Sequence, residues 1–275
     1  VVARLLSAKL SESLKQTVNV DPKPGANGII GTDIVAKAAP DGYTLLLTVA
    51  SAQTLTPALY KLPFDPVKDF APVSLVANLG GVLLVNANVQ ARTMQEFVAQ
   101  ARTRPGRFSY GAGTSLLRLI GEQLKQATGA DITMVPYKGT GPQMAAVVGG
   151  EVDAVVDPFV GMAHVKSGKV RPLAVLMNKR SPLLPDVPTL EETGIKGIAL
   201  DSWAAVLAPA GTPPEIVGRL STEIARIVAL PDVRERLAAL NYDPVGSTPA
   251  ELGRTIDAEI AKWKRVVKEA NYKAE

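Results

Sequence analysis

VPYKGTGPQMAAVVGGEVDAVVD (135–157) runs through strand, turn, helix and strand in quick succession. The run from Ile132 to Tyr137 is apolar enough for a buried strand. Gly139, Thr140, Gly141 and Pro142 then punctuate it, PQMAAVVGG (142–150) has helical spacing, and VDAVVD (152–157) is a second apolar strand. A helix start leaves backbone N–H groups unpaired and carries partial positive charge, so such a junction can hold an anion. FSYGAGTSLLRLIGEQL (108–124) repeats the same grammar, and TLLLTVASAQTLTPALY (44–60) sets Ser51, Thr54 and Thr56 at a similar place. Three such junctions in one chain point to a binding site, where one alone would mean little.

Outward from this stretch, strands and helices keep alternating. TVNV (17–20), YTLLLTV (43–49), VSLVA (73–77), VLLVNA (82–87) and VRPLAVL (170–176) are further β-rich runs. TMQEFVAQAR (93–102) and LLRLIGEQLKQATG (116–129) are helical between them. Alternation with buried strands predicts parallel sheets covered by helices, an α/β protein. After WAAVLAPAG (203–211) only helices are expected: PPEIVGRLSTEIARIV (213–228), with prolines suited to a first turn, then PDVRERLAAL (231–240) and STPAELGRTIDAEIAKWKRVVKEA (247–270). A helical tail that packs back on the first half makes the first domain discontinuous. The expected lobes are 1–82 with 206–275, and 83–205. The chain crosses between them near 83 and 205, and a ligand cleft is expected between them.

Composition narrows the function. The chain has 275 residues, 47% hydrophobic and 20% charged, enough to bury a sizeable core. Its formal charge of +4 favours anionic ligands only weakly, and no dense basic run with interleaved aromatics argues for nucleic acid. The absence of cysteine excludes disulfides and thiol catalysis, and the lone histidine, His164, excludes a multi-histidine metal centre. No apolar run is long enough to span a bilayer, and VVARLLSAKLSESLKQ (1–16) reads as an amphipathic helix rather than a signal peptide.

Each candidate group has a plainer reading beside the functional one. GAGTS (111–115) is a tight strand-to-helix turn, or a grip in which Gly113, Thr114 and Ser115 donate to an anion. It lacks the third glycine of a dinucleotide fingerprint, since Leu116 stands there, and no Gly-Lys-Ser/Thr makes it a phosphate loop. In YKGTGP (137–142) Thr140 either caps a helix or, with Gly139, donates to a ligand beside Tyr137; Lys138 is more simply solvated. Asp157, before Pro158, either caps the next helix or accepts hydrogen bonds from a ligand or an ordered water. Asp201, Ser202 and Trp203 sit at the second expected crossover, where Trp203 is core or cleft wall. PGANGIIG (24–31) reads as an ordinary turn capped by Asn27, and His164 as structural. These groups suit anchoring; no G-x-S-x-G and no nucleophile–base pair is present.

PGANGIIGTDIVAKAAPDGYTLLL (24–47), LPFDPVKDFAPVSLVA (62–77), GAGTSLLRLIGEQL (111–124), the opening stretch and DVPTLEETG (186–194) closely resemble Bug-type, TctC-like receptors of tripartite tricarboxylate transporters. The resemblance runs in order along nearly the whole chain. It implies a periplasmic binding protein type II-like fold, two α/β lobes joined by two crossover strands, closing on a small carboxylate: an amino acid, a dicarboxylate or an aromatic acid. It implies no cofactor or metal, a monomer, delivery to membrane transporter subunits, and ligand contacts at Ser51, Ala52, Gln53, Gly113, Thr114, Ser115, Tyr137, Gly139, Thr140, Asp157 and Trp203. Where the family usually shows a polar residue after the Gly-Thr turn, this chain has Leu116-Leu117-Arg118, which makes that wall more apolar. The family also opens with a strand and a Pro-Gly-Gly loop, whereas this sequence begins inside the following helix. Two alternatives stay open at this level. One is a hydrolase or transferase with Asp157 as base; the other is a solute sensor signalling to a membrane receptor.

Overall fold

A computed structural model describes residues 2–23, 25–200 and 202–269. In chain order its elements are α1 (Val2–Leu14), α2 (Ile29–Ala36), β1 (Leu46–Val49), α3 (Thr56–Leu59), β2 (Phe70–Leu79), β3 (Val82–Asn86), α4 (Met94–Thr103) and β4 (Phe108–Ala112). Then follow α5 (Ser115–Thr128), β5 (Ile132–Pro136), α6 (Thr140–Gly149), β6 (Ala154–Asp157), α7 (Met162–Lys166), β7 (Val170–Val175) and β8 (Ser202–Pro209). The last four are α8 (Pro214–Ala229), α9 (Pro231–Ala238), β9 (Tyr242–Pro244) and α10 (Pro249–Glu269). The chain divides into two units, residues 1–78 with 202–275 and residues 79–201. The expected crossover positions, 83 and 205, lie within β3 and β8.

The first unit holds a four-stranded sheet ordered β1-β8-β2-β9. Side chains on a strand alternate between faces, and β8 shows the consequence. Trp203, Ala205 and Leu207 join Phe64, Phe70, Leu252, Ile256 and Ile260 in one core, while Val206 and Ala208 join Leu5, Leu10, Ile224 and Leu237 in another. Both faces are therefore covered, by α10 on one side and by α1, α8 and α9 on the other. α1 presents Leu5, Leu6 and Leu10 inward, and its Lys9 meets Asp232 of α9 at 2.9 Å. α10 begins with a capping box: Thr248 Oγ1 accepts from the N–H of Glu251, whose carboxylate accepts from the N–H of Thr248 at 2.8 Å.

The second unit holds a five-stranded sheet ordered β5-β4-β6-β3-β7. β4 runs parallel to β5 and β6, but β3 runs antiparallel to both β6 and β7. β1 and β8 are antiparallel as well. The expectation of parallel sheets is thus corrected: the second sheet is mixed, and the first contains an antiparallel pair. An unbroken apolar run such as VLLVN reports burial on both faces and carries no information about strand direction. Every residue of β3 and of β6 is buried. Phe97 and Phe108 pack edge to face at 5.3 Å beneath α4.

Two further expectations are corrected. TVNV (17–20) is irregular and largely exposed, because no neighbouring strand takes up its backbone groups. The tail is not purely helical either, since β9 adds a short fourth strand to the first sheet.

Candidate functional site

Parallel neighbours end at the same edge of a sheet, so the helices that follow β4 and β5 begin side by side. The N–H of Tyr137 donates to the carbonyl of Ala112 at 2.9 Å, carrying the β4–β5 pairing one step past the strands. Gly113 then touches the turn after β5. A Cβ on Gly113 would lie 2.3 Å from the carbonyl oxygen of Gly139 and 2.8 Å from the nitrogen of Thr140. Glycine is required here by close backbone approach. At Gly139 it is required by conformation, because φ is 110°. Gly111 is likewise hemmed in by Val152, Val155 and the ring of Tyr137.

Gln143 clamps this junction from below. It is fully buried, accepts from the N–H of Gly113 at 2.6 Å and donates to the carbonyl of Val156 at 2.7 Å. One side chain thereby ties the β4–α5 turn, the first turn of α6 and strand β6 together. Tyr110 adds a second tie, its buried hydroxyl donating to the carbonyl of Leu117 at 2.9 Å.

The groups left at the surface of this junction are hydroxyls and helix N-termini. Thr114 is the N-cap of α5, its oxygen accepting from the N–H of Leu117 at 3.3 Å. That bond uses a lone pair, so its proton remains free to donate. The expectation that Thr140 caps α6 is corrected: Gly139 is the N-cap and receives no side-chain bond, while Thr140 is the first helical residue. Among the described residues, the half-exposed hydroxyls of Ser115, Tyr137 and Thr140 have no hydrogen-bond partner. Burial, and then the charge of Glu151, raises the Tyr137 phenol above its ordinary range. Lys138 is exposed.

Asp157 ends β6 at the same sheet edge. It is 1% exposed, and its Oδ2 accepts from the N–H of Gly161 at 2.8 Å. The plainer reading, that Asp157 caps the next helix, is corrected: Gly161 is the N-cap of α7 without a side-chain bond, and Asp157 closes the turn that leads to it. Burial pushes its carboxyl above the usual range, against the pull of the Gly161 and Val160 N–H groups and of His164. A cavity of about 570 Å³ opens beside it, lined among others by Thr140, Met144, Val160, Gly161 and His164. The structure thus gathers Gly113, Thr114, Ser115, Tyr137, Gly139, Thr140 and Asp157 at one edge of one sheet.

The remaining candidates belong to the first unit. Ser51, Ala52 and Gln53 open a π-helical turn, Ser51–Leu55, in which the N–H of Thr56 bonds the carbonyl of Ser51 and the Thr56 hydroxyl reinforces it at 2.9 Å. Such turns occur often at functional sites. Ser51 and Ala52 are half-exposed, and among the described residues the Ser51 hydroxyl has no partner. The side chain of Gln53 turns inward and is fully buried, donating to the carbonyl of Pro66 at 2.7 Å. Trp203 is core: it is 3% exposed, and its Nε1–H donates to Glu259 at 2.9 Å. Asp201 lies outside the described residues. In the 25–28 turn, Asn27 adopts a left-handed conformation and does not cap α2, as Gly28 holds that position and packs against Ala52.

Gln143 and Glu259 were not singled out from the sequence, yet each left a sign there. Gln143 shares the buried side of α6 with Met144, Ala146 and Val147. Glu259 falls on the stripe of Leu252, Ile256, Ile260 and Trp263. A polar residue on a buried helical face must have a partner to justify it.

Two α/β units built from one chain that leaves the first and returns to it, with helix N-termini and unspent hydroxyls gathered at a sheet edge, define a solute-binding architecture. Residues 2–272 match the tripartite tricarboxylate transporter family receptor, and the chain belongs to that family. Its members are receptors, not enzymes. Protein BugT of Bordetella pertussis is 39% identical over 282 residues, covering 99% of this chain and 85% of BugT. Among solved structures, Rpa4515 of R. palustris with adipate is 34% identical with a TM-score of 0.90, covering 98% of this chain and 92% of that one. MatC of Rhodopseudomonas palustris with bound malate is 32% identical with a TM-score of 0.84, covering 97% and 93%. The type II-like two-unit fold is thus that of periplasmic binding proteins. Among the described residues, no helix is long and apolar enough to cross a membrane, and no group of three or more acidic or histidine side chains is placed to hold a metal.

Proposed function

We propose that this chain is the periplasmic receptor of a tripartite tricarboxylate-type uptake system and that it captures a small mono- or dicarboxylate. The observation that carries the ligand class is the contact of Gly113 with the Gly139–Thr140 peptide. It sets the N-termini of α5 and α6 side by side, with the hydroxyls of Thr114, Ser115 and Thr140 at their mouths. Both helix dipoles then favour negative charge at one place. Ser51 and Ala52 are inferred to supply further donors from the first unit. The adipate and malate held by the two structural relatives support a dicarboxylate.

Hydrogen bonds to a charged partner contribute about 1.5–3 kcal/mol each. Four of them, less the cost of ordering the ligand, are compatible with micromolar affinity, about −8 kcal/mol. The experiment is a thermal-shift screen against mono-, di- and tricarboxylates and amino acids. At 100 times its dissociation constant a binder stabilises the fold by about 2.7 kcal/mol. A shift from a small dicarboxylate that Thr140→Ala abolishes supports the proposal, and silence across the panel contradicts it.

A further inference from the structure

Glu259 lies in the middle of α10, half-buried, and both its carboxylate oxygens are engaged within the first unit. Oε1 accepts from the indole N–H of Trp203 at 2.9 Å, and Oε2 lies 2.9 Å from the hydroxyl of Thr54. Thr54 is fully buried in the π-helical turn that carries Ser51 and Ala52. Trp203 is the second residue of the unit after the chain returns to it. A carboxylate placed on an otherwise apolar helical stripe costs solvation, and packing alone does not require it. It adds a polar tie between the turn and Trp203 to the packing that Ala50 and Trp203 already share and to the Val49–Ala204 pairing beside them.

The link also has an internal choice. The Thr54 hydroxyl lies 2.8 Å from the carbonyl of Ala50 as well as 2.9 Å from Glu259. A hydroxyl has one proton, so it serves one of these acceptors at a time. Directed at Ala50, it tightens the turn upon itself; directed at Glu259, it ties the turn to α10 and, through the carboxylate, to Trp203.

We propose that Glu259 is a positioning residue for the solute site, holding the Ser51–Leu55 turn in the form that presents Ser51 and Ala52 and coupling that turn to Trp203. The inference rests on the reading above that Ser51 and Ala52 meet the carboxylate. Glu259 touches no solute itself. It acts through Thr54, and the indole reports the state of the turn.

The test compares Glu259→Gln, Thr54→Val and Thr54→Ser with the unaltered chain, using malate and adipate as probes well below the melting temperature. Thr54→Val keeps the shape and removes the hydroxyl, while Thr54→Ser keeps the hydroxyl. Affinity about tenfold weaker in Glu259→Gln and Thr54→Val, restored in Thr54→Ser, supports the proposal. So does a ligand-induced change in Trp203 emission, read in a Trp263→Phe background, that Glu259→Gln abolishes. Folded variants that merely melt earlier and bind as before overturn it. Hydrogen exchange of the 50–56 amides judges the positioning role without a ligand: faster exchange in Glu259→Gln supports it, and unchanged exchange overturns it. If the unaltered chain binds neither probe, the affinity arm uses the carboxylate that the thermal-shift panel identifies, silence across that panel sinks the solute reading on its own, and the exchange data decide the role of Glu259 in the turn either way.

Discussion

Replacing Gly113 by alanine puts the junction between the two helix starts under direct strain. The added methyl group would stand 2.3 Å from the Gly139 carbonyl oxygen and 2.4 Å from its carbon, where ordinary contacts begin at 3.4 Å. The turn after β5 must therefore retreat by roughly 1 Å, and it is backbone, which cannot swing aside as a side chain would. Overpacking of this kind costs about 1–3 kcal/mol of stability. The same retreat pulls the Gly113 N–H away from Gln143 and separates the two helix N-termini. Losing one charged hydrogen bond to the solute, about 1.5–3 kcal/mol, weakens affinity roughly 10- to 100-fold. Titration calorimetry with the best carboxylate, beside thermal melts, reads both effects. Gly141→Ala is the internal control, since nothing lies within 4 Å of its would-be Cβ. A Gly113→Ala protein that binds and melts like the parent refutes the idea that this contact holds the site.

Other expectations follow from the same geometry. Gln143→Leu strands the Gly113 N–H and the Val156 carbonyl, at about 1–3 kcal/mol for each unsatisfied group, so urea midpoints and affinity should fall together. An affinity loss without a stability loss would contradict that bookkeeping. For Asp157, burial raises the folded-state pKa above the ordinary 3.8, so its favourable contribution is complete below 3.8 and is lost as pH rises through the raised value. Asp157→Asn should therefore gain melting temperature relative to the parent between pH 4 and pH 7; a difference that does not change with pH refutes the charge argument. Phe97→Ala empties the 5.3 Å edge-to-face pair with Phe108 and should cost about 3–5 kcal/mol, measured by denaturant unfolding.

Much of the second unit's candidate site was legible in the sequence because its parts are local. Strand, glycine-rich turn and helix follow one another in GAGTS and YKGTGP, so the chemistry of each junction can be read from a handful of neighbours. What single segments do not encode is how they meet. The clash that fixes Gly113 depends on Gly139, and the clamp that fixes both depends on Gln143 reaching across to β6. Strand direction was illegible for the same reason: VLLVN is equally apolar whichever way its neighbours run. In the first unit, Gln53 and Trp203 read as site residues by resemblance, and their buried side chains donate to the Pro66 carbonyl and to Glu259. A polar residue on an apolar helix face, Gln143 or Glu259, was the available signal for both missed ties.

The carboxylate itself is the most direct object of test. Calorimetry with a dicarboxylate that stabilises the protein, set beside its dimethyl ester, isolates the charge while keeping the carbon skeleton. Micromolar binding of the acid, none of the ester, and a loss of at least about tenfold in Ser115→Ala and Thr140→Val are the predicted results. An ester that binds as well as the acid, or an acid indifferent to both substitutions, would contradict an anion site built from paired helix N-termini.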